Sequence, residues 1–199
     1  MDLTIHAKQG MYDPAAEHDA CGVGMVATLN GRPERRVIDD AIEVLINLNH
    51  RGAVGAEENT GDGAGILMAM PHEFMRRAIG EHLPESGHYI AGIAFLDRDP
   101  AACATQQQRI AAIAKEEGLA TLAWRTVPTN PDGLGLQALA TMPTFTMLVL
   151  TDPAGELEGI GLDRVAFRVR KRVEHEVGTY FASLSARTLT YKGMLTTMQ

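Results

Sequence analysis

The order of apolar runs along this 199-residue chain limits its fold more than any other feature. A glycine-spaced apolar run over residues 21–29 reads as a buried strand, closed by the turn pair Asn30-Gly31. Val37, Ile38, Ala41, Ile42, Leu45, Ile46 and Leu48 recur at spacings of three and four, which predicts a helix with one buried stripe. "ILMAMP" reads as a buried strand stopped by Pro71, and a short helix over 72–79 follows. Next come a strand over 89–96, a helix over 101–117 ended by Gly118, and strands in "LATLAWRTVP" and "TFTMLVLT" flanking a short helix at 134–140. Residues 164–176 predict a helix, and "TYFASLSARTLTYKG" two strands turning near Ser185-Ala186 as an antiparallel hairpin. This order is neither a strict βαβα alternation nor all-β. Short turns favour antiparallel pairing, so the fold class is α+β with layered sheets.

Composition narrows the function classes. A formal net charge of −7 argues against a general nucleic-acid binder, which displaces counterions with clustered positive charge. The basic cluster at 164–172 alternates with apolar and acidic residues, as on the wet face of a helix. The two cysteines, Cys21 and Cys103, belong to no C-x-x-C pair and make neither a disulfide framework nor a metal cluster. The histidines lack H-x-x-x-H spacing, so no zinc site is expected. No run approaches the roughly 18 apolar residues that cross a bilayer. Residues 1–20 carry Asp2, Asp13, Glu17 and Asp19 without an apolar run, and so do not form a signal peptide. These features imply a reduced, cytoplasmic, soluble domain behind a polar leader or arm.

Three motifs invite a chemical reading. "GVGMVA", residues 22–27, formally matches the dinucleotide fingerprint G-x-G-x-x-A. That fingerprint needs a strand before the glycines and a helix after them. Here the strand pattern starts at the glycines, which fits close approach of another backbone better. "NTGDGAGI", residues 59–66, could form a phosphate nest or a structural loop with a turn at Asp62-Gly63. No Gly-Lys-Ser/Thr follows it, and so many glycines also suit close approach to a substrate or nucleophile. His50 and Arg51 follow the helix over 37–48, where cations complement the dipole and Gly52 acts as a stop. Cys103 sits in an alanine-rich helix and reads as packing.

Cys21 is distinguished by position, at the junction between the polar leader and the first apolar run. It is either a buried core cysteine or a nucleophile released by a cut after Ala20. A thiol of pKa about 8.5 is only slightly ionised at neutral pH. A free α-amine of pKa about 7.7–8.0 on the same residue could accept its proton and later return it to a leaving amine.

"CGVGMVA" from Cys21, "NHRGAVGAEENTGDGAGI" over 49–66 and "SLSARTLTYKGML" over 183–195 together resemble the amino-terminal glutaminase domain of the glutamate synthase large subunit. That domain is a class II glutamine amidotransferase of the N-terminal-nucleophile hydrolase type. The resemblance implies a four-layer αββα sandwich, incomplete at its C-terminus here, with residues 1–20 as a propeptide and 21–199 as the domain. It makes Cys21 the catalytic nucleophile and Arg51 a supporting residue. It places the glutamine-gripping residues and the oxyanion hole beyond Gln199, so this chain alone is expected to be nearly inactive. Glutamine would be the substrate, and the rest of the large subunit and a small subunit the partners. The whole enzyme would use FMN, an iron–sulfur cluster and NADPH or ferredoxin to turn ammonia and 2-oxoglutarate into glutamate, with no cofactor or metal in this segment. A non-catalytic binding or regulatory domain on the same fold, with Cys21 buried, is the competing reading. A nucleotide-binding module built on "GVGMVA" would bind NAD, and calorimetry is expected to detect no such binding.

Overall fold

The computed structural model describes residues 22–51, 57 and 59–199. Helix α1 (Arg35–Asn47) and a 3-10 turn (Asn49–Arg51) precede strand β1 (Ala64–Ala69), helix α2 (His72–Ile79) and strand β2 (Tyr89–Leu96). Then follow α3 (Pro100–Glu116), β3 (Ala120–Thr126), α4 (Leu136–Thr141) and β4 (Thr144–Thr151). Helix α5 (Gly159–Glu176) and strands β5 (Tyr180–Ser185) and β6 (Thr188–Gly193) complete the order.

The strands form two antiparallel sheets, one ordered β3-β4-β2-β5 and the other pairing β1 with β6. The central strands β2 and β4 run in unbroken register from Tyr89 opposite Thr151 to Leu96 opposite Thr144. Successive side chains on a strand point to opposite faces. Ile90, Leu96, Leu148 and Leu150 therefore pack against α3 and α5, while Tyr89, Ile93, Met147 and Val149 meet Leu189 of β6 and Met75 of α2. Helix α1 lies over β1 on the far side. The layers are thus α1, the β1-β6 pair, the four-stranded sheet, and α3 with α5: the expected αββα order.

Local signals explain the helices of the outer layer. Asp99 caps α3 by accepting from Ala102 N at 2.8 Å, Pro100 opens it, and Gly118 leaves it with φ +86°. Helix α5 buries Leu162, Val165, Ala166, Val169 and Val173 at helical spacing. Its other face is wet, as the basic cluster foretold. Arg168 meets Glu117, and Arg172 meets Glu116, Glu117 and Glu176. Exposed pairs of this kind add little, so the apolar stripe holds α5, at roughly 1.5–3 kcal/mol per buried large aliphatic side chain.

The structure corrects several expectations. Residues 22–28 are irregular, and Val23, Met25 and Leu29 are 87%, 89% and 107% exposed. A strand needs a ladder partner, and none of the described strands pairs with this run. Gly24 does admit a close neighbour, but that neighbour is Val44 of α1 rather than a strand backbone. Helix α1 forms where expected, yet none of its residues is fully buried, because a two-stranded sheet is too narrow to cover its stripe. Strand β1 is half-buried, with Leu67 exposed on its outer face. Helix α5 begins five residues ahead of the expected start at 164, at Gly159.

The largest correction concerns the C-terminal hairpin. Strands β5 and β6 do not pair in one ladder; β5 joins β2 and β6 joins β1. Asp163 of α5 turns the chain from one sheet to the other. Its Oδ1 accepts from Ser185 Oγ at 2.8 Å and Ala186 N at 2.7 Å, and its Oδ2 from Arg187 Nε at 2.7 Å. Ser185 Oγ in turn accepts from Arg187 N and Thr188 N. We expect Asp163→Ala to cost about 2–3 kcal/mol, since it orphans a largely buried N–H and an arginine. Urea unfolding checks this; a loss under about 0.5 kcal/mol would remove Asp163 from that role.

Candidate functional site

Of the two residues expected to carry chemistry, Cys21 lies outside the described residues. Arg51 closes the 3-10 turn after α1, and its side chain lies outside the described residues. In the same turn His50 Nδ1 donates to Asn47 O at 3.0 Å, so the ring satisfies one of the helix's last carbonyls.

The glycine-rich segment after this turn is held from three sides. Glu57 Oε2 accepts from Thr60 Oγ1 at 2.7 Å and from Gln137 N at 3.0 Å. Gln137 is the second residue of α4, whose N-cap, Gly135, has no side chain to satisfy the helix's free N–H groups. Glu57 supplies that cap from eighty residues away. Gly135 N donates to Asn59 O at 2.8 Å. A Cβ on Gly135 would collide with Thr60 Oγ1 and Glu57 Oε2, so only glycine permits this contact.

The C-terminal segment closes the third side. Thr197 Oγ1 donates to Asn49 Oδ1 at 2.8 Å in the 3-10 turn. Gln199 Nε2 donates to Asn59 O at 3.3 Å and to Gly133 O at 2.9 Å. Gly61 lies against the backbone of Leu195 and Thr196, and Gly65 against Tyr191 and Lys192 of β6. The glycines of "TGDGAG" thus serve close approach of the chain's own backbone, and Gly63, at φ +129°, makes the turn. The second and third sequence motifs, far apart in the chain, meet here.

Glu57 is held below the usual carboxylate range, first by the Gln137 N–H and then by the Thr60 hydroxyl. Neither Glu57 nor Gly135 stood out in the sequence. The Glu57–Thr60 spacing of three was a weak signal, while the α4 contact is tertiary and left no local trace. A second polar pair lies between α2 and β2. There Tyr89, fully buried, has its hydroxyl 3.3 Å from His72 Nδ1, and burial pushes its pKa up to about 12. Cys103 packs half-buried against the helix-side core, as expected. Among the described residues no group of His, Cys, Asp and Glu could hold a metal ion, and no helix is long and apolar enough to cross a membrane.

Residues 21–199 match the family described as glutamine amidotransferases class-II. The chain belongs to that family. The chain is 36% identical to a glutamate synthase [NADH] of Schizosaccharomyces pombe, with 96% of this chain aligned to 10% of that protein. It is 34% identical to the glutamate synthase [NADPH] large chain of Bacillus subtilis, with 96% and 13% covered. To the corresponding large chain of Azospirillum brasilense it is 38% identical, with 92% and 13% covered. The chain therefore spans about a tenth of the length of the curated relatives it matches. Class II membership fixes the fold as the N-terminal-nucleophile hydrolase type, in agreement with the α+β layers described above.

In this amidotransferase domain the folded-state pKa of Glu57 is lowered. Its hold on the loop is therefore complete above the unfolded carboxylate value of about 4.3, and is lost as pH falls through the lower folded value. We expect amide exchange at Gln137 and Gly135 to accelerate below about pH 4 before exchange at Leu148 in β4 does. Simultaneous loss of protection at all three sites would contradict this.

Proposed function

We propose that this chain is the glutaminase part of a glutamate synthase, with Cys21 as its nucleophile once residues 1–20 are removed. The observation that carries this reading is that the class II family match begins at Cys21. The glutamate synthase relatives support the assignment to that branch.

In the first step the α-amine of Cys21 takes the thiol proton as sulfur attacks the side-chain amide carbon of glutamine. The tetrahedral adduct collapses as its C–N bond breaks, and the proton held by the amine leaves with ammonia. Water, deprotonated by the same amine, attacks the thioester, releasing glutamate and restoring the thiol. Arg51 acts in support, its positive charge favouring the thiolate. While residue 20 remains attached, the nitrogen of Cys21 is an amide and no base. Removal of the leader is therefore the activating event.

In the whole protein the ammonia would convert 2-oxoglutarate to glutamate, with FMN and an iron–sulfur cluster passing electrons from NADPH or ferredoxin. Such a cluster needs several thiolates, whereas this chain holds only Cys21 and Cys103. In this reading the cluster, and with it FMN, is assigned to other parts of the protein, and a small subunit is a further partner.

Mass spectrometry of the mature protein from its native source is expected to find Cys21 as the first residue. An intact leader there would favour a non-catalytic domain with a buried cysteine. The glutamine-shaped electrophile 6-diazo-5-oxo-L-norleucine is expected to label Cys21 and spare Cys103. Labelling of Cys103 instead would overturn the assignment.

A further inference from the structure

We propose that Asn30-Gly31 is a self-modifying site. The side-chain amide of Asn30 cyclises onto the nitrogen of Gly31, loses ammonia, and is opened by water to aspartate and isoaspartate. The reaction is independent of Cys21. The other asparagines, Asn47, Asn49, Asn59 and Asn130, precede Leu48, His50, Thr60 and Pro131. A side chain on the following residue crowds the cyclic product, and a proline nitrogen has no proton to lose. Glycine imposes neither obstacle.

The turn supplies the geometry. Arg32 N donates to Asn30 Oδ1 at 2.9 Å, which folds the amide over the peptide unit of Gly31. That oxygen gains negative charge when Gly31 N adds to Cγ, so the same N–H stabilises the adduct. Asn30 Nδ2 donates to Glu34 Oε1 at 3.3 Å, which fixes the way the amide faces. The attacking nitrogen is loosely held, since Gly31 N donates to Thr28 O at 3.4 Å. Residues 29–36 are exposed. Apart from its chain neighbours, no described atom lies within 4 Å of where a Cβ on Gly31 would stand, so nothing packed there resists ring closure.

The bonds balance without any oxidant or reductant. Gly31 N bonds to Asn30 Cγ and gives up its proton, the Cγ–Nδ2 bond breaks, and Nδ2 leaves as ammonia carrying that proton. Water then opens the ring. Addition at Cγ gives aspartate on the original backbone, and addition at the backbone carbonyl gives isoaspartate, with Cβ now inside the main chain. Either product sets a carboxylate beside Glu34 and removes the amide N–H that Glu34 accepts. Isoaspartate also lengthens the link between α1 and Gly24, which sits on Val44 of that helix.

The experiment holds the full-length protein in mildly alkaline buffer at body temperature, then digests it for mass spectrometry, with isoaspartate counted by isoaspartyl methyltransferase labelling. The peptide carrying residue 30 is expected to gain the mass of an NH2-to-OH exchange, chiefly as isoaspartate. Asn47, Asn49, Asn59 and Asn130 are expected to convert at least about tenfold more slowly. A synthetic peptide of residues 26–36 gives the rate without the fold, and the protein is expected to react at no less than about a third of it, because the turn holds the reacting groups together. Gly31→Ala is expected to slow conversion about tenfold or more. Since alanine is strained at the φ of +66° found there, Asn30→Gln serves as a second variant, and its longer side chain is expected to leave residue 30 unconverted over the same period. The proposal is overturned if the protein lags the peptide by more than that margin, or if Gly31→Ala or Asn30→Gln keeps pace with the unaltered protein.

Discussion

Everything in this molecule is built on the ladder between β2 and β4. Eight residues of each strand pair without a bulge, and both faces of the pair are covered. A strand buried on both sides must be apolar at both parities, and "YIAGIAFL" and "TFTMLVLT" meet that demand. One parity holds α3 and α5, the other holds the second sheet. The close fit at Gly92 belongs to the same constraint. A Cβ there would collide with the carbonyl of Ser183, so glycine alone lets β5 sit at its observed distance.

The candidate site depends on a different kind of contact. It is assembled from a loop after α1, the start of α4 and the last residues of the chain, joined by side chain–backbone hydrogen bonds rather than by a ladder. Such a junction is set by a few polar atoms and by glycines that give the backbone room. A surface built this way can be moved by one carboxylate, whereas the sheets beneath it respond mainly to loss of buried apolar volume.

Elements whose environment is local were legible in the sequence. The strands β2 and β4 and helix α2 lie on the residues expected, because burial on fixed parity and a stop at Pro71 leave little freedom. The helix α3 was legible at its end, owing to Gly118, while the Asp99 cap and Pro100 set its start one residue ahead of the expected 101. Elements defined by distant partners were not legible. The apolar pattern of residues 22–29 fits a strand, yet no described strand pairs with it. The run through Ser185 and Ala186 has hairpin spacing, but Asp163, more than twenty residues earlier, sends its halves to different sheets. Glu57 was missed for the same reason. Its partner Gln137 is named by nothing in the local sequence, whereas the proposals for Cys21 and Arg51 rest on motif order alone.

The pairing of β1 with β6 also shapes how the domain comes together. These strands are more than a hundred residues apart, and everything in the four-stranded sheet lies between them in sequence. Closing so long a loop costs more entropy in an open chain than in one already compacted. The crossing at Asp163 exists only after α5 has packed, so β6 reaches β1 late. Asn59 and Gly61, just ahead of β1, rest on the residues after β6 and must settle later still. By this order the junction of β1 with the residues after β6 is the last part of the domain to form and the first to come apart under stress.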